Sequence, residues 1–444
     1  MSRLAIYRAV PLLVGGMLVL INVWDSSETF SHLQSFLAVS KTENVTLPVD
    51  RTLPFPRWRN GSILFSSIIA LLEAKVENND HFMLNLSAHR EFPEVLYAVD
   101  HEGVWTSRAI RNQSLDKFRY RTNPTERMLK IALRHLLSTK KANASRWESL
   151  QRAIGSTGFP FFYWYGDFTS CNYQNWGNHS IPLLTTCADI KCDYSFPTPT
   201  YMTIDTSRTT GQGWERTFAK QEQIYPWKSK IRKVLWRGSL SGKLHGFTSP
   251  RWRMGVFGAE AARKNSSLFD IGITAIPRRH EGKLSSDRLN ELGFAEPLKP
   301  MSEFQRYLAI LDTDGNSWSS RFGSLLCYNS VVLKVEPMYV DYFHFKYLQP
   351  WVHYVPVMYD LSDLEEQAAF VTDPKNEATV KNITASANKW CHDRMVSESI
   401  AEDVLDIWDE YVKYLDRGDP DWQVVWESKK ARFFSDQAFD MVQI

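Results

Sequence analysis

The sequence predicts an α/β fold in which an open sheet presents ligand-binding loops at the ends of its strands. An apolar run at residues 307–311 stops at a loop rich in Asp, Gly and Ser, and a helical pattern begins at Arg321. Further apolar runs follow at residues 331–335 and 352–357, and the last of these leads to a capping box that starts at Ser362. This alternation of strand, polar loop and helix predicts the fold class.

The loop at residues 312–321 is the first candidate binding element. It combines carboxylates, hydroxyls, a glycine and a guanidinium at a predicted strand-to-helix junction. Its polar positions are Asp312, Asp314, Gly315, Ser317, Ser319, Ser320 and Arg321. This composition suits an anionic, hydroxyl-rich ligand such as a nucleotide sugar.

A second element of the same kind precedes it in the chain. Residues 233–236 predict a strand, residues 237–242 a polar glycine loop, and residues 250–263 a helix that carries Arg251 and Arg253. The backbone N–H groups of such a loop and of a helix amino terminus attract phosphate, and arginine adds a bidentate clamp. The dinucleotide and P-loop glycine motifs are both missing from the sequence, so those two classes lose their main support.

Composition narrows the class of protein further. A length of 444 residues is comfortable for two domains, and 43% hydrophobic with 23% charged residues is typical of globular proteins. The net charge of +2 argues against general nucleic-acid binding. The 16 Trp and 18 Tyr suit a carbohydrate site, because sugar faces pack on aromatic rings, although an aromatic core explains them as well.

The first residues predict a membrane anchor. Residues 4–24 are mostly apolar, Arg3 and Arg8 lie towards the amino terminus, and Asp25 and Glu28 follow. By the positive-inside rule, an uncleaved signal anchor places the rest of the chain in the lumen of the secretory pathway, as a cleaved signal peptide also does. The chain ends without a KDEL-type signal, which favours a type II membrane protein of the Golgi over one of the endoplasmic reticulum.

Eight N-x-S/T sequons support a lumenal location, because about three would arise by chance. They begin at Asn44, Asn60, Asn85, Asn112, Asn143, Asn178, Asn265 and Asn382. Together they predict a glycoprotein of the secretory pathway.

Five cysteines suit an oxidising compartment and up to two disulfides. The closeness of Cys171, Cys187 and Cys192 predicts one bridge among them. Cys327 falls inside a predicted helix and is interpreted as a small buried hydrophobe. No C-x-x-C or paired-His spacing accompanies the cysteines, so no zinc site is predicted.

Other segments give simpler patterns. Residues 25–60 have the composition of a stem, and a packing helix is predicted to start at Asn123. Residues 158–165 predict an aromatic strand, and Asp167 follows it, where a carboxylate is either a turn former or a general base. Residues 402–414 predict an amphipathic closing helix.

Four ordered blocks resemble glycosyltransferase family 90, which includes the Rumi-type protein O-glucosyltransferases and the fungal capsule xylosyltransferases. The blocks are C-D-Y-S-F-P-T-P-T-Y from Cys192, W-R-G-S from Trp236, L-D-x-D-G-x-S-x-S-S-R ending at Arg321, and S-V-V-L-K from Ser330 with W-V-H-Y-V-P-V-x-x-D-L-S-D-L. The resemblance covers residues 159–370. It implies a GT-B architecture, in which two Rossmann-like domains enclose a nucleotide sugar, and inverting transfer from a UDP-sugar to a hydroxyl.

The resemblance also implies roles for single residues. Asp167 matches the catalytic base, which takes the acceptor proton during inversion. Nucleotide-sugar binding is expected at Arg237, Gly238, Ser239, Arg251, Arg253, Asp314, Gly315, Ser320 and Arg321. A fixed cationic clamp of this kind replaces the divalent metal of other transferases, so no metal ligand and no cofactor are predicted, while dependence on Mn²⁺ is left open.

The expected domain order follows. It is a cytosolic tip and anchor (1–24), a stem (25–60), an acceptor-side Rossmann-like domain (61–225), a nucleotide-sugar-binding Rossmann-like domain (226–400) and a carboxyl-terminal helix that packs back on the first domain (401–444). The expected partners are a UDP-sugar, with glucose or xylose as the sugar, a protein or glycan acceptor, and the membrane. Nucleic acid is not among them.

Two other hypotheses stay open. Asp312 and Asp314 form a D-x-D motif of the kind that holds Mn²⁺ on a diphosphate in GT-A transferases, although the neighbouring R-G-S and S-x-S-S-R sequences argue against it. A lumenal carbohydrate-binding protein without turnover is the second, although such a protein needs no base at Asp167.

Overall fold

The computed structural model divides the chain into two compact units, residues 1–49 with 244–248 and residues 50–243 with 249–444. The residues that it describes are 9–14, 17–22, 94–99, 103–107, 119–139, 144, 146, 148, 150, 159–165, 183–189, 195–199, 223–242, 249–277, 284–416 and 441–443. The predicted stem at residues 25–60 and the candidate base Asp167 lie outside these ranges.

In the smaller unit the described residues form two antiparallel strands, β1 (Ala9–Val14) and β2 (Met17–Asn22), with Val14 opposite Met17. Within these described residues, the structure does not show the membrane-spanning helix that was predicted at residues 4–24. The two apolar runs flank Gly15-Gly16, a dipeptide typical of two-residue hairpin turns, so their sequence suits a strand pair as well as a helix. Among the described residues, no helix has the length and apolar character required to cross a membrane.

The larger unit contains the other helices and strands. In chain order they are β3 (Glu94–Val99), β4 (Val104–Ser107), α1 (Arg119–Thr139), β5 (Phe159–Trp164), β6 (Leu183–Thr185), β7 (Ala188–Asp189), β8 (Ser195–Pro197), β9 (Ile231–Ser239), α2 (Pro250–Arg263), β10 (Phe269–Ala275), α3 (Ser286–Glu291), α4 (Met301–Phe304), β11 (Tyr307–Asp312), α5 (Phe322–Leu325), β12 (Val331–Val335), β13 (Tyr339–Val340), α6 (Tyr342–Lys346), β14 (Val355–Val357), α7 (Leu364–Thr372), α8 (Glu377–Arg394), α9 (Ser397–Asp416) and β15 (Met441–Gln443).

A parallel five-stranded sheet confirms the α/β fold class, and with its helices it is Rossmann-like. Its strand order is β10-β9-β11-β12-β14, and every neighbouring pair is parallel. All residues of β11 and β12 are buried, as expected for parallel strands that are covered on both faces. The predicted strands at residues 307–311 and 331–335 and the predicted helix at 250–263 are therefore confirmed.

The segment after β12 departs from the prediction at two points. The third apolar run gives only the short strand β14, because Trp351 adopts a left-handed backbone conformation with φ of +64° and the chain turns there. The predicted capping box is also wrong, since α7 starts at Leu364 and Asp363 occupies the N-cap position. The loop carboxylates instead bond to nearby backbone, with Asp360 accepting from the N–H of Ser362 at 3.0 Å.

A second sheet of six strands has the order β15-β4-β3-β5-β6-β8. The β5–β6 and β6–β8 pairs are parallel and the remaining pairs are antiparallel. The aromatic strand predicted at residues 158–165 is β5, and its Phe161 packs against Trp408 and Tyr411 of α9. The predicted closing helix at residues 402–414 therefore exists, is longer at both ends, and packs beside this sheet.

The structure corrects two smaller predictions. Helix α1 starts at Arg119, so Pro124 lies inside the helix and does not mark its first turn. Cys327 is not a lone buried hydrophobe, since it forms a disulfide with Cys391 of α8. No local sequence pattern indicates this disulfide, because Cys327 lies just beyond the end of α5 at Leu325 and its partner lies 64 residues further along the chain. Cys171 and Cys192 lie outside the described residues, so the bridge predicted among the earlier cysteines stays a prediction.

We predict that the double variant Cys327→Ala/Cys391→Ala has a free energy of unfolding about 2–5 kcal/mol lower than the wild type, because the bridge closes a long loop in the unfolded chain. Urea denaturation measures the difference. Non-reducing peptide mass mapping is the direct check, and recovery of Cys327 and Cys391 as separate alkylated peptides would contradict the assignment.

Candidate functional site

The two loops singled out by the sequence lie at the same edge of the parallel sheet. Strand β9 ends at Ser239 and β11 ends at Asp312, and these strands are neighbours. From β9 the chain passes outward to β10 on one side and then returns to β11 on the other, so the gap between β9 and β11 is the topological switch point of the sheet. In open α/β sheets this is where ligands bind.

Direct hydrogen bonds hold the two loops together. The Gly242 N–H donates to Asn316 Oδ1 at 2.9 Å. Arg251, in the first turn of α2, donates from Nε to the carbonyl of Asp314 at 2.9 Å and from Nη1 to the carbonyl of Ser239 at 2.8 Å. The structure thus joins elements that lie more than 60 residues apart in sequence.

Glycines lie where the two loops meet. Gly242 has φ of +116°, and a Cβ on it would lie 3.2 Å from the carbonyl oxygen of Gly315. A Cβ on Gly315 would lie 3.1 Å from Arg251 Nη2 and from Ser241 Oγ. At Gly238 a Cβ would lie 3.0 Å from the Trp236 ring, so a side chain there would also crowd this junction. Because these glycines have no side chain, the two loops can approach each other this closely.

A buried lysine anchors the second loop. Lys334 Nζ, from β12, lies 2.9 Å from Asp312 Oδ2 and 2.8 Å from Asp314 Oδ1, and all three side chains are buried. Asp312 Oδ1 also accepts from Ser319 Oγ at 2.7 Å and from Arg321 Nε at 3.1 Å. One ammonium therefore fixes both carboxylates, and Asp312 in turn orients Arg321.

The burial of these charges shifts their pKa values in different directions. Burial by itself raises the pKa of Asp312, but the positive charges of Lys334 and Arg321 outweigh it and hold that pKa below its usual value. For Asp314 burial outweighs the attraction of Lys334, so its pKa is raised. Burial by itself lowers the pKa of Lys334, but the two carboxylates raise it above its usual value, and Lys334 stays charged.

This arrangement bears on the D-x-D hypothesis. In a GT-A transferase the carboxylates of that motif hold a divalent cation, whereas here Lys334 already bridges Asp312 and Asp314. A metal would have to displace a buried ammonium that both carboxylates stabilise. The residues present therefore do not fit that metal site.

Arg251 and Arg321 supply the positive charge of the site. Arg251 forms no ion pair with any residue that the structure describes, and its hydrogen bonds go to neutral carbonyls. Burial and the neighbouring charge of Arg321 lower its pKa to about 10, so it is still protonated at neutral pH. Arg321 Nη1 donates to the carbonyl of Arg237 at 2.7 Å. Its Nη2 is buried and has no partner within the described ranges.

The remaining candidates are placed in different ways. The Arg237 side chain is turned away from the loops and is enclosed by Asp270, with which it forms a close ion pair, and by Glu296 at 3.0 Å. The structure therefore brings its carbonyl to the site and not its guanidinium. Arg253 donates to the carbonyl of Tyr359, beyond β14, at 3.3 Å. Ser320 lies half-buried beside Arg321.

Sequence reasoning missed Lys334 and Trp318, and it placed Ser319 in the loop without its bond to Asp312. A single lysine in the otherwise apolar run V-V-L-K-V was the available signal for Lys334, because a buried ammonium requires a charged partner. Trp318 packs against Cys187 and Tyr339, next to the pairing of β7 with β13. That pairing links the segment after β12, in the five-stranded sheet, to the segment after β6, in the six-stranded sheet. Residues that follow strands of both sheets therefore support the second loop.

The strand that precedes Asp167 is firmly held, although Asp167 itself lies outside the described residues. The Tyr165 hydroxyl bonds to that of Tyr97 at 2.8 Å, and Tyr163 bonds to Thr198 at 2.7 Å. Burial and the neighbouring Tyr97 raise the pKa of Tyr165 well above its usual value, so its hydroxyl stays protonated.

Comparison with known proteins identifies the class to which this fold and site belong. The profile of glycosyl transferase family 90 matches residues 167–421, more than half of the chain. The chain belongs to this family. The matched range includes Asp167 and both loops.

Named relatives share part of the sequence. Protein O-glucosyltransferase 2 of Danio rerio is 29% identical over 175 residues, which cover 39% of this chain and 31% of that protein. Protein O-glucosyltransferase 3 of Rattus norvegicus is 26% identical over 235 residues, or 50% and 42% of the two chains. Protein O-glucosyltransferase 1 of Homo sapiens is 26% identical over 191 residues, or 43% and 44%. The matched part spans less than half the length of each of these relatives.

We predict that Lys334→Met lowers the free energy of unfolding by about 3–5 kcal/mol, because it leaves buried carboxylates without their partner. Replacing Asp314 by Asn in the same variant removes one uncompensated charge and should restore part of the loss, while Arg321 still pairs with Asp312. Urea denaturation measures both.

The matched control is Lys381→Met, which removes an exposed lysine that pairs with Glu377 on the surface of α8. We expect it to change stability by less than about 1 kcal/mol. Equal effects of the two lysine variants would show that Lys334 does not hold the loop.

Proposed function

We propose that this chain is an inverting glycosyltransferase that moves a sugar from a UDP-sugar to a hydroxyl group of a protein in the lumen of the Golgi or the endoplasmic reticulum. The observation that carries the proposal is the placement of two guanidiniums, Arg251 and Arg321, beside the switch point of a parallel sheet, where both bond to carbonyls of the two loops.

The electrostatics favour a diphosphate as the group bound there. Arg251 is held by two neutral carbonyls, and Arg321 retains a buried N–H without a partner in the described part of the chain. Arginine binds phosphate oxygens through charge-assisted hydrogen bonds, and glycine loops at strand ends add backbone N–H donors. A diphosphate would offset the two positive charges that the fold brings together.

The chemistry assigned to the site is a single displacement. The acceptor oxygen attacks the anomeric carbon of the sugar, the bond from that carbon to the phosphate oxygen breaks, and UDP leaves with the electron pair. Asp167 takes the acceptor proton. Arg251 and Arg321 would stabilise the growing charge on UDP more strongly in the transition state than in the bound donor, and this difference accelerates the reaction.

A GT-B arrangement fits this division of labour. The five-stranded sheet carries the donor loops, and the six-stranded sheet carries β5, after which Asp167 follows in the sequence. We assign the donor to the first sheet and the acceptor to the second. The named relatives are protein O-glucosyltransferases, which favours glucose over xylose as the sugar and a protein as the acceptor.

We predict that Arg251→Ala and Arg321→Ala each weaken UDP binding by roughly 10- to 100-fold, the value of one or two charge-assisted hydrogen bonds. Isothermal titration calorimetry with UDP measures the effect, and thermal denaturation checks that each variant folds. The control is Arg306→Ala, which removes an exposed arginine paired only with Glu303 among the described residues. Unchanged UDP affinity in both site variants would exclude the arginines as the diphosphate partners.

The test of the function itself is UDP release by the purified protein over a panel of UDP-sugars, with and without EDTA. We expect slow release from one donor without acceptor, because water substitutes for the hydroxyl, and the donor that turns over names the sugar. The Asp167→Asn variant should bind UDP normally, and its turnover rate should be lower by a factor of about 10²–10⁴. UDP binding with no turnover of any donor would instead indicate a carbohydrate-binding protein, and full activity of Asp167→Asn would remove the assigned base.

A further inference from the structure

Two of the eight sequons lie among the described residues, and they lie in different secondary structure, one in a turn and one inside a helix. One begins at Asn265 and the other at Asn382. Both asparagine side chains are exposed, so exposure alone does not distinguish them. Two other properties do distinguish them: the backbone conformation around each asparagine, and the burial of the hydroxyl residue two positions later.

Asn265 lies in the turn that ends α2. It has φ of +50°, its N–H donates to the carbonyl of Ala262 at 3.0 Å, and the N–H of Ser266 donates to the carbonyl of Ala261 at 2.9 Å. This pair of bonds is a Schellman motif, in which the left-handed residue stands just outside the helix. Ser267, which completes the sequon, is exposed as well. The whole tripeptide is therefore presented on a surface turn.

Asn382 lies in the interior of α8, and the rest of its sequon is buried. Ile383 and Thr384 are only 3% and 4% exposed, and Thr384 Oγ1 donates to the carbonyl of Val380 at 3.0 Å. Transfer of a glycan requires the sequon hydroxyl beside the asparagine amide in a non-helical conformation. Once α8 forms, this sequon is closed.

The position of Asn265 also keeps an attached glycan away from the donor loops. Helix α2 starts beside the carboxyl end of β9 and returns along the sheet to the amino end of β10. Its 14 residues span about 21 Å, so Asn265 and the loops lie at opposite ends of the helix. A large hydrophilic group on Asn265 would neither cover the site nor disturb the core.

We propose that Asn265 is an N-glycosylation site of the folded protein and that Asn382 is not. The inference rests on the lumenal location proposed above. In the reaction, Nδ2 of Asn265 forms a bond to the anomeric carbon of a lipid-diphosphate-linked oligosaccharide, the bond from that carbon to phosphate breaks, and Nδ2 loses one proton. The lipid diphosphate leaves with the electron pair, and a lumenal oligosaccharyltransferase catalyses the exchange.

The experiment compares glycan occupancy in the full chain secreted behind a cleavable leader from a eukaryotic host. Peptide-N-glycosidase in H₂¹⁸O converts each occupied asparagine to ¹⁸O-labelled aspartate, which peptide mass spectrometry counts at every sequon. We expect label at Asn265 in most molecules and several-fold less label at Asn382. Label at Asn382 with none at Asn265 would overturn the proposal.

Matched variants of the sequon sharpen the test. Asn265→Gln and Ser267→Ala should each remove one glycan step from the electrophoretic mobility of the protein, whereas Ser266→Ala keeps the N-x-S pattern and should retain it. Retention of the step in both Asn265→Gln and Ser267→Ala would contradict the assignment.

A second arm separates the site from the lumenal location. The chain is expressed with its own amino terminus and no added leader. If no sequon is labelled there while Asn265 is labelled behind the leader, the location fails and the site stands. If other sequons are labelled with the native amino terminus and Asn265 is not, the site fails and the location stands.

Discussion

The buried ammonium of Lys334 is the interaction on which the candidate site depends. It reaches from β12 to two carboxylates at the end of the neighbouring strand, Asp312 and Asp314, and all three side chains are buried. An unpaired carboxylate buried there would cost several kcal/mol, so the loop has one favourable arrangement around the lysine. The orientation of the rest follows, because Asp312 binds Arg321 and the carbonyl of Asp314 binds Arg251. A charge cluster in the core thus determines where the guanidiniums of Arg251 and Arg321 are placed.

The sequence predicted strands β9, β11 and β12 of the central sheet, and the reason is physical. Strands β11 and β12 are buried on both faces, so their sequences are nearly continuous apolar runs. Helix α2 has Ser249 at its N-cap and Pro250 at its first position, which are typical residues for a helix start. Features that depend on distant partners were not predictable in this way. The partner of Cys327 lies 64 residues away, and nothing in the local pattern points to it. The amino-terminal apolar segment suits either a helix or a hairpin, because a local pattern of apolar residues does not fix the choice.

The candidate site shows the same limit at the level of single side chains. The sequence indicated both loops, and the structure joins them through Arg251, Asp314 and the close contact of Gly242 with Gly315. The sequence alone could not indicate which arginine faces the loops. Successive side chains of a strand point to opposite faces of the sheet, and the register is a property of the tertiary structure. Lys334 carried a signal that was readable in principle, since an isolated lysine in a buried strand needs anionic partners, but only the fold shows which carboxylates these are.

The contrast between Arg237 and Arg251 explains why a site for an anion needs more than arginine. Asp270 and Glu296 compensate the charge of Arg237, so its field at the loops is largely cancelled. Carbonyl groups hold Arg251 in place without an ion pair among the described residues. Burial first, and then the charge of nearby Arg321, make its protonated form less favourable and lower its pKa. An anion bound near both arginines would reduce that repulsion. The relief grows as negative charge accumulates on the anion, so a departing diphosphate would gain more from this pair than an intact sugar diphosphate does. The proximity of two positive charges is therefore the feature of the fold that would favour a leaving group of this kind.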